Sequence, residues 1–258
     1  MKRTAYAAAL VLAGAAWWAP VSAEEALPAS APASLSVLSE ELDTAASVGV
    51  VGDIPAGFLP AMDLGGHMSY HPVDFSEIAP DTAGAPMMLG QLRIERDGIL
   101  ETADVVNLEL SSPDLDQALR GLFPAGGPPL PAEGVQKMAL FNRMLGNAGA
   151  MVNEAILEGI ASARRETGEP MPYSIFHVEL RSTEPLHCMD GMDGALVYTA
   201  GSRVLFYVDG WIFPQYVKAY LWKDGGAYRL IAVCANDSQK DSVREAADRL
   251  VKAACGGK

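Results

Sequence analysis

The last third of the chain constrains the fold most, because apolar stretches rich in aromatic and β-branched residues alternate there with short turn sequences. The turn sequences are Ala200-Gly201-Ser202, Asp209-Gly210 and Asp224-Gly225-Gly226, whose residues are typical of tight hairpins. They and the loops around them separate five predicted strands, at 173–182, 195–199, 203–208, 211–222 and 227–234. The pattern predicts an antiparallel meander.

Earlier segments supply a hairpin and three helical patterns. Leu92 and Ile94 alternate with polar residues, Asp97-Gly98 is a hairpin turn, and a second strand follows at 99–110. Apolar residues three or four apart predict helices at 112–122, 133–165 and 240–254. Gly146 and Gly149 either split the long pattern into two helices or admit another backbone at close range. We therefore expect one α+β domain at 87–258, with an antiparallel sheet of hairpin and meander covered by helices.

The first 23 residues predict a secretory signal peptide. Lys2 and Arg3 precede an apolar stretch at 5–18, and Val21-Ser22-Ala23 supplies the small residues of a cleavage site. The alternative is an uncleaved membrane anchor. We expect cleavage near Ala23, no transmembrane segment after processing, and a mature protein in the periplasm or outside the cell.

Residues 24–86 form an acidic segment rich in Pro and Gly, with no Lys or Arg from Glu24 to Leu92. We interpret this segment as a linker followed by loops, with one short helix at 36–46. The alternative is a flexible acidic arm that docks a basic partner or binds calcium weakly.

Charge and motif content exclude several functions. The net charge of −13 and the pI of about 4.7 argue against binding to nucleic acid or unassisted binding to anionic lipid. The sequence has no GxSxG, SxxK, Walker A or EF-hand motif. A non-catalytic protein without a cofactor is therefore favoured over an enzyme.

Two groups of residues are candidate binding sites. Imidazole, thiolate and thioether donors that would suit copper or zinc gather at His187, Cys188, Met189 and Met192, although the same stretch can be an ordinary polar turn. Alternation along the strand at 211–222 places Tyr216, Lys218, Tyr220 and Trp222 on one face. That face is either covered by a helix or exposed as an aromatic platform for a ligand.

The three cysteines leave the disulfide pattern open. In an oxidising compartment, a Cys188–Cys234 bond would join the beginning of the meander to its end. Cys255 could instead pair with Cys234 or remain a free thiol.

The stretch YTAGSRVLFYVDGWIFPQYVKAYLWKDGGAYRLIAVC, followed by the helix sequence DSVREAADRLVKAA, resembles the Mog1/PsbP-like α/β/α sandwich. The resemblance covers about the last quarter of the chain. It implies a binding or accessory module without catalysis and supplies no active-site residues.

Taken together, these features predict an exported, non-catalytic binding or accessory protein of the cell envelope, whose partner is an envelope protein or a small ligand. A periplasmic protein that handles copper or zinc is the first alternative. A hydrolase with an unrecognised site is the second.

Overall fold

The computed structural model describes residues 58–73, 87–111, 116–117, 119–124, 129–147, 149–150, 153–154, 157, 165, 176–190, 192 and 195–256. The segment interpreted as a signal peptide and the helix expected at 36–46 lie outside these residues. Within them, no helix is both long enough and apolar enough to cross a membrane.

The described residues form an α+β structure with a core that is mostly sheet. Its elements, in chain order, are β1 (Met62–Gly65), β2 (Met68–Val73), β3 (Met87–Arg96), β4 (Ile99–Leu110), α1 (Ala132–Gly146), β5 (Phe176–Cys188), β6 (Val197–Val208), β7 (Trp211–Asp224), β8 (Ala227–Asn236), a 3-10 turn (Asp237–Gln239) and α2 (Lys240–Gly256).

All eight strands belong to one antiparallel sheet, in the order β1-β2-β3-β4-β8-β7-β6-β5. The sheet thus consists of two meanders of four strands, which meet where β4 pairs with β8. The predicted turns at Asp97-Gly98 and Asp209-Gly210 are confirmed. Both residues of each pair have positive φ, at 52° and 75° in the first turn and 47° and 88° in the second, as a type I′ hairpin requires.

The chain enters the sheet earlier than the sequence indicated. We interpreted residues 24–86 as linker and loop, whereas β1 and β2 extend the sheet beyond β3. The segment was overlooked because it is short, contains Pro72 and turns at Gly65-Gly66, so it shows little of the usual strand alternation.

The turn expected at Ala200-Gly201-Ser202 is wrong, because β6 runs through it without interruption. Gly201 has a packing role instead. A Cβ on this residue would lie 3.2 Å from Glu184 and 3.2 Å from the Tyr216 hydroxyl, closer than ordinary van der Waals contact, so a larger residue would have to displace these side chains.

Helix α2 covers one face of the sheet, which we call the α2 face. Its buried stripe is Val243, Ala246, Ala247, Leu250 and Val251. These residues pack against Leu92 and Val105 of the first meander and Ile231 and Tyr220 of the second. The predicted closing helix is therefore confirmed, and one core joins the two meanders.

On the opposite face, α1 and residues 119–124 pack against the second meander. Met138 and Phe141 of α1 join Leu122 in a cluster with Tyr198 and Tyr228. Helix α1 ends at Gly146 and a turn follows at Asn147, although residues 149–150 and 153–154 are again helical.

We expect Gly90→Ala to destabilise the protein, because a Cβ there would lie 2.4 Å from Cε2 of the fully buried Tyr70 ring. The free energy of unfolding in urea should fall by about 1–3 kcal/mol. Gly226→Ala is the matched control, since no heavy atom lies within 4 Å of its Cβ position. Equal stability of the two variants would contradict the close packing of Tyr70 over Gly90.

Candidate functional site

The four residues predicted to share a face of β7 do so, and α2 covers them. Tyr216, Lys218, Tyr220 and Trp222 are exposed by only 3, 2, 0 and 7%, respectively. Three of them join the apolar core beneath α2. In this structure they therefore belong to the interior and not to an open platform.

Lys218 is the centre of a buried charged cluster between the sheet and α2. Its Nζ atom lies 2.9 Å from Oδ1 of Asp248, on α2, and 3.4 Å from Oε2 of Glu184, on β5. The hydroxyl of Tyr220 donates a hydrogen bond of 2.6 Å to the same Asp248 oxygen. The cluster thus ties the helix to both β5 and β7.

Electrostatics keep the two tyrosines of this cluster in their protonated form. Burial, followed by the Asp248 carboxylate, raises the pKa of Tyr220 far above its usual range. Burial and then Glu184 raise the pKa of Tyr216 in the same direction. Both phenols are therefore protonated at neutral pH, Tyr220 donates to Asp248, and Lys218 balances the carboxylates, an arrangement suited to fixing the position of α2.

We expect Lys218→Met to lower the free energy of unfolding by about 1–3 kcal/mol, because the partly buried carboxylates of Asp248 and Glu184 would lose the buried counter-ion that they share. Lys223→Met is the matched control on the same strand. Lys223 also pairs with a carboxylate, Asp116, but its side chain is 38% exposed, so we expect a loss below about 1 kcal/mol. Equal losses in urea denaturation would contradict a special role for Lys218.

The structure does not bring the predicted metal donors together. His187 donates a hydrogen bond of 2.8 Å from Nδ1 to the Pro185 carbonyl oxygen, and its Nε2 lies 3.4 Å from Oε1 of Glu184. Cys188 packs into the cluster on the opposite face, whereas Met189 and Met192 pack against the α2-face core. Successive strand residues point to opposite faces, which separates His187 from Cys188 at the end of β5. Within the described ranges no three His, Cys, Asp or Glu residues are placed to hold a metal ion.

Cys188 and Cys234 are free thiols. Cys188 pairs with Tyr198 of β6, whereas Cys234 lies on β8, three strands from β5. At about 4.8 Å for each strand spacing, the Cα atoms are about 14 Å or more apart. A disulfide spans about 7 Å at most, so this fold rules out the Cys188–Cys234 bond considered above. Cys255 lies in the last turn of α2 and packs against the core of the α2 face, whereas Cys234 points to the opposite face.

Asp104 and Cys234 face each other across the β4–β8 pair. Burial raises the pKa of the Asp104 carboxyl to about 6. Burial, followed by the Asp104 charge, raises the pKa of the Cys234 thiol to about 12. Since thiols react as thiolates, the raised pKa makes the Cys234 thiol poorly reactive at neutral pH.

We expect Asp104→Asn to stabilise the protein above pH 6 and to have little effect near pH 4. The folded-state pKa of the Asp104 carboxyl exceeds its ordinary value of 3.8. Its contribution to the free energy of unfolding is therefore complete below pH 3.8 and is lost as pH rises through about 6. Urea denaturation at about pH 8 should show a gain of about 1–2 kcal/mol for the variant. A difference between the proteins that does not change with pH would contradict this assignment.

Exposed apolar side chains lie at one end of the sheet. The last pair of β7 with β8 joins Gln215 to Asn236, so β7 continues four residues past the end of β8 to Trp211. Strand β4 likewise continues past its last pair with β8, at Asp104, to Ile99. The β3–β4 and β6–β7 hairpins therefore project on either side of the point where β8 stops.

Four large apolar residues lie on these projections, and we call them the hairpin end: Ile99 (65% exposed), Leu100 (53%), Trp211 (58%) and Ile212 (54%). Strands β4 and β7 flank β8 and are about 10 Å apart where β8 lies between them, so the two pairs belong to neighbouring projections at the same end of the sheet. Exposed Trp beside aliphatic residues is typical of protein-binding surfaces.

Sequence reasoning missed the hairpin end because it searched β7 for a single alternating face. A signal was present: Ile99-Leu100 and Trp211-Ile212 are each adjacent apolar residues directly after an Asp-Gly turn. Adjacent apolar residues point to both faces of a strand, and next to a hairpin tip little of the protein remains to cover them.

No protein-family model matches the chain, and comparison with curated proteins finds no significant match.

Proposed function

We propose that this chain is an exported, non-catalytic binding or accessory protein of the cell envelope, and that it binds a partner protein through the hairpin end. The observation that carries the proposal is the position of Trp211 and Ile212 beside Ile99 and Leu100, more than half exposed, on two hairpins that project past β8.

The chemistry of the buried groups supports binding over catalysis. Lys218 is paired with two carboxylates, the Tyr216 and Tyr220 phenols stay protonated, and the Cys234 thiol is not ionised at neutral pH. These groups stabilise the folded chain and are poorly suited to the proton transfer or nucleophilic attack of a hydrolase.

A protein partner is favoured over a small ligand by the character of the concave surface beside α2. That cleft lies between α2 and strands β2 and β3, and it is open and lined by charges of both signs: Glu95, Arg96, Arg244, Glu245, Arg249 and Lys252. Small-molecule sites are more often enclosed and apolar. The hairpin end has the opposite character, an apolar projection that fits a matching hollow on another protein.

The resemblance to the Mog1/PsbP-like sandwich remains part of the proposal. It is supported by the stretch that carries it, which forms the antiparallel strands β6, β7 and β8 followed by the closing helix α2. An accessory role in the envelope is what such a module would imply.

We expect export to the periplasm or the medium, with a mature protein that begins at Glu24. The basic start, apolar stretch and small residues before the junction provide the signal for cleavage after Ala23. Cell fractionation followed by intact mass measurement tests this, with Ala23→Arg as the variant expected to block processing. A cytoplasmic protein that retains Met1 would contradict export.

We expect a photo-crosslinking amino acid at position 211 to form a discrete adduct in intact cells, because Trp211 occupies the proposed interface. The same amino acid at position 140 is the matched control, since Leu140 is 46% exposed on α1, away from the hairpins. An adduct at 211 that is reduced by Ile99→Ser and Leu100→Ser would support the proposal. Absence of an adduct at 211, or equal adducts at 211 and 140, would contradict it.

A further inference from the structure

Strand β5 is one edge of the sheet, and α1 with the helical residues after it lies along that edge. An edge strand presents unpaired backbone N–H and C=O groups on which the strand of another chain can pair. Whatever covers the β5 edge therefore decides whether another chain can pair with it.

Two asparagines close the edge by imitating a neighbouring strand. Asn142 accepts a hydrogen bond of 2.6 Å from the backbone N–H of Leu186 and donates one of 3.1 Å to its carbonyl oxygen. Asn153 forms the same pair of bonds with Val178, at 2.7 Å each. A side-chain amide carries one acceptor and two donors, so each asparagine satisfies both outward backbone groups of one edge residue.

Between these two points the helical segment lies against the strand backbone. A Cβ on Gly149 would be only 3.3 Å from the Leu180 nitrogen, closer than ordinary van der Waals contact, so the glycine favours this close approach. In an antiparallel strand, alternate residues point both backbone groups to the same side, which places Leu180 outward like Val178. The helical segment occupies the space that an added strand would need.

The two halves of β5 differ in how readily another strand could pair with them if the helical segment were absent. The register with β6 shifts between Ser182 and Glu184 and again between Glu184 and His187, and Pro185 lies in this half. Bulges and proline already discourage edge pairing. From Phe176 to Ser182 the register is regular, and this half is the one that Asn153 and Gly149 cover.

We infer that Asn142, Gly149 and Asn153 hold a helical guard over β5 that prevents a second copy of this chain from pairing with the edge. When the helical guard is displaced, β5 of a second copy pairs with this edge, antiparallel and through residues 176–182. Asn153 contributes more than Asn142, because it covers the regular half.

The test measures hydrogen exchange and self-association of the mature chain in parallel. In Asn142→Ala/Asn153→Ala the Val178 and Leu186 amides should exchange about tenfold faster or more, while those of β8 and α2 keep their protection. Sedimentation velocity should show concentration-dependent dimers, more for Asn153→Ala than for Asn142→Ala. Gln136→Ala/Arg143→Ala, two exposed positions of α1, is the matched control and should behave as the unaltered protein.

Gly149→Leu should displace the helical segment by steric clash, although Asn142 and Asn153 are both unchanged in sequence. It should therefore cause the same self-association by an independent route. Faster exchange without self-association in both kinds of variant would overturn the guarding role and leave the asparagines as structural contacts only. Unchanged exchange at Val178 and Leu186 would overturn it as well.

Discussion

The pairing of β4 with β8 is the interaction on which the rest of the structure depends. These strands come from the two meanders, and they pair continuously from Asp104↔Cys234 to Leu110↔Tyr228. Without this pair the chain would contain two sheets of four strands, each with two edges and a narrow apolar face. With it, Val105 lies beside Val233, and one helix can cover residues from both meanders. The polar anchors of α2 have the same distribution, since Arg249 donates to the carbonyl oxygens of Leu64 and Gly65, and Asp248 pairs with Lys218 of β7.

Sequence reasoning succeeded where the determinants are local. The hairpin turns at Asp97-Gly98 and Asp209-Gly210 require positive φ at two successive residues, and the turn residues themselves reveal this. The closing helix was visible from its stripe of small and aliphatic residues. The β4–β8 pair could not be predicted, because nothing in the sequence of either strand identifies a partner strand more than 100 residues away. Gly201 was misread because a glycine that gives space to Glu184 and Tyr216 looks the same in sequence as a glycine in a turn.

The candidate site shows the same division. Alternation correctly placed Tyr216, Lys218 and Tyr220 on one face, since the geometry of one strand is enough to decide it. Whether that face is open depends on α2, and the carboxylates that neutralise Lys218 come from β5 and α2. Adjacent donors such as His187 and Cys188 looked like a metal site only while the direction of each side chain was unknown. The hairpin end was missed because its exposure results from where β8 stops, which is a property of the whole sheet.

We propose binding at the hairpin end because other elements of the protein cover much of the rest of the sheet. A single large antiparallel sheet has two faces and two edges, and each of them can associate with other chains. Here α2 covers one face, α1 and residues 119–124 pack on the other, and the asparagines of the helical segment satisfy the β5 edge. Burying apolar surface in this way stabilises the chain, whereas the four exposed apolar residues of the hairpin end contribute little to folding. Trp211 and its neighbours lie on hairpins that the neighbouring strand does not reach, where a bound protein could bury them without disturbing the sheet. That separation between the packed sheet and its projecting hairpins is the physical basis for placing the proposed binding surface at the hairpin end.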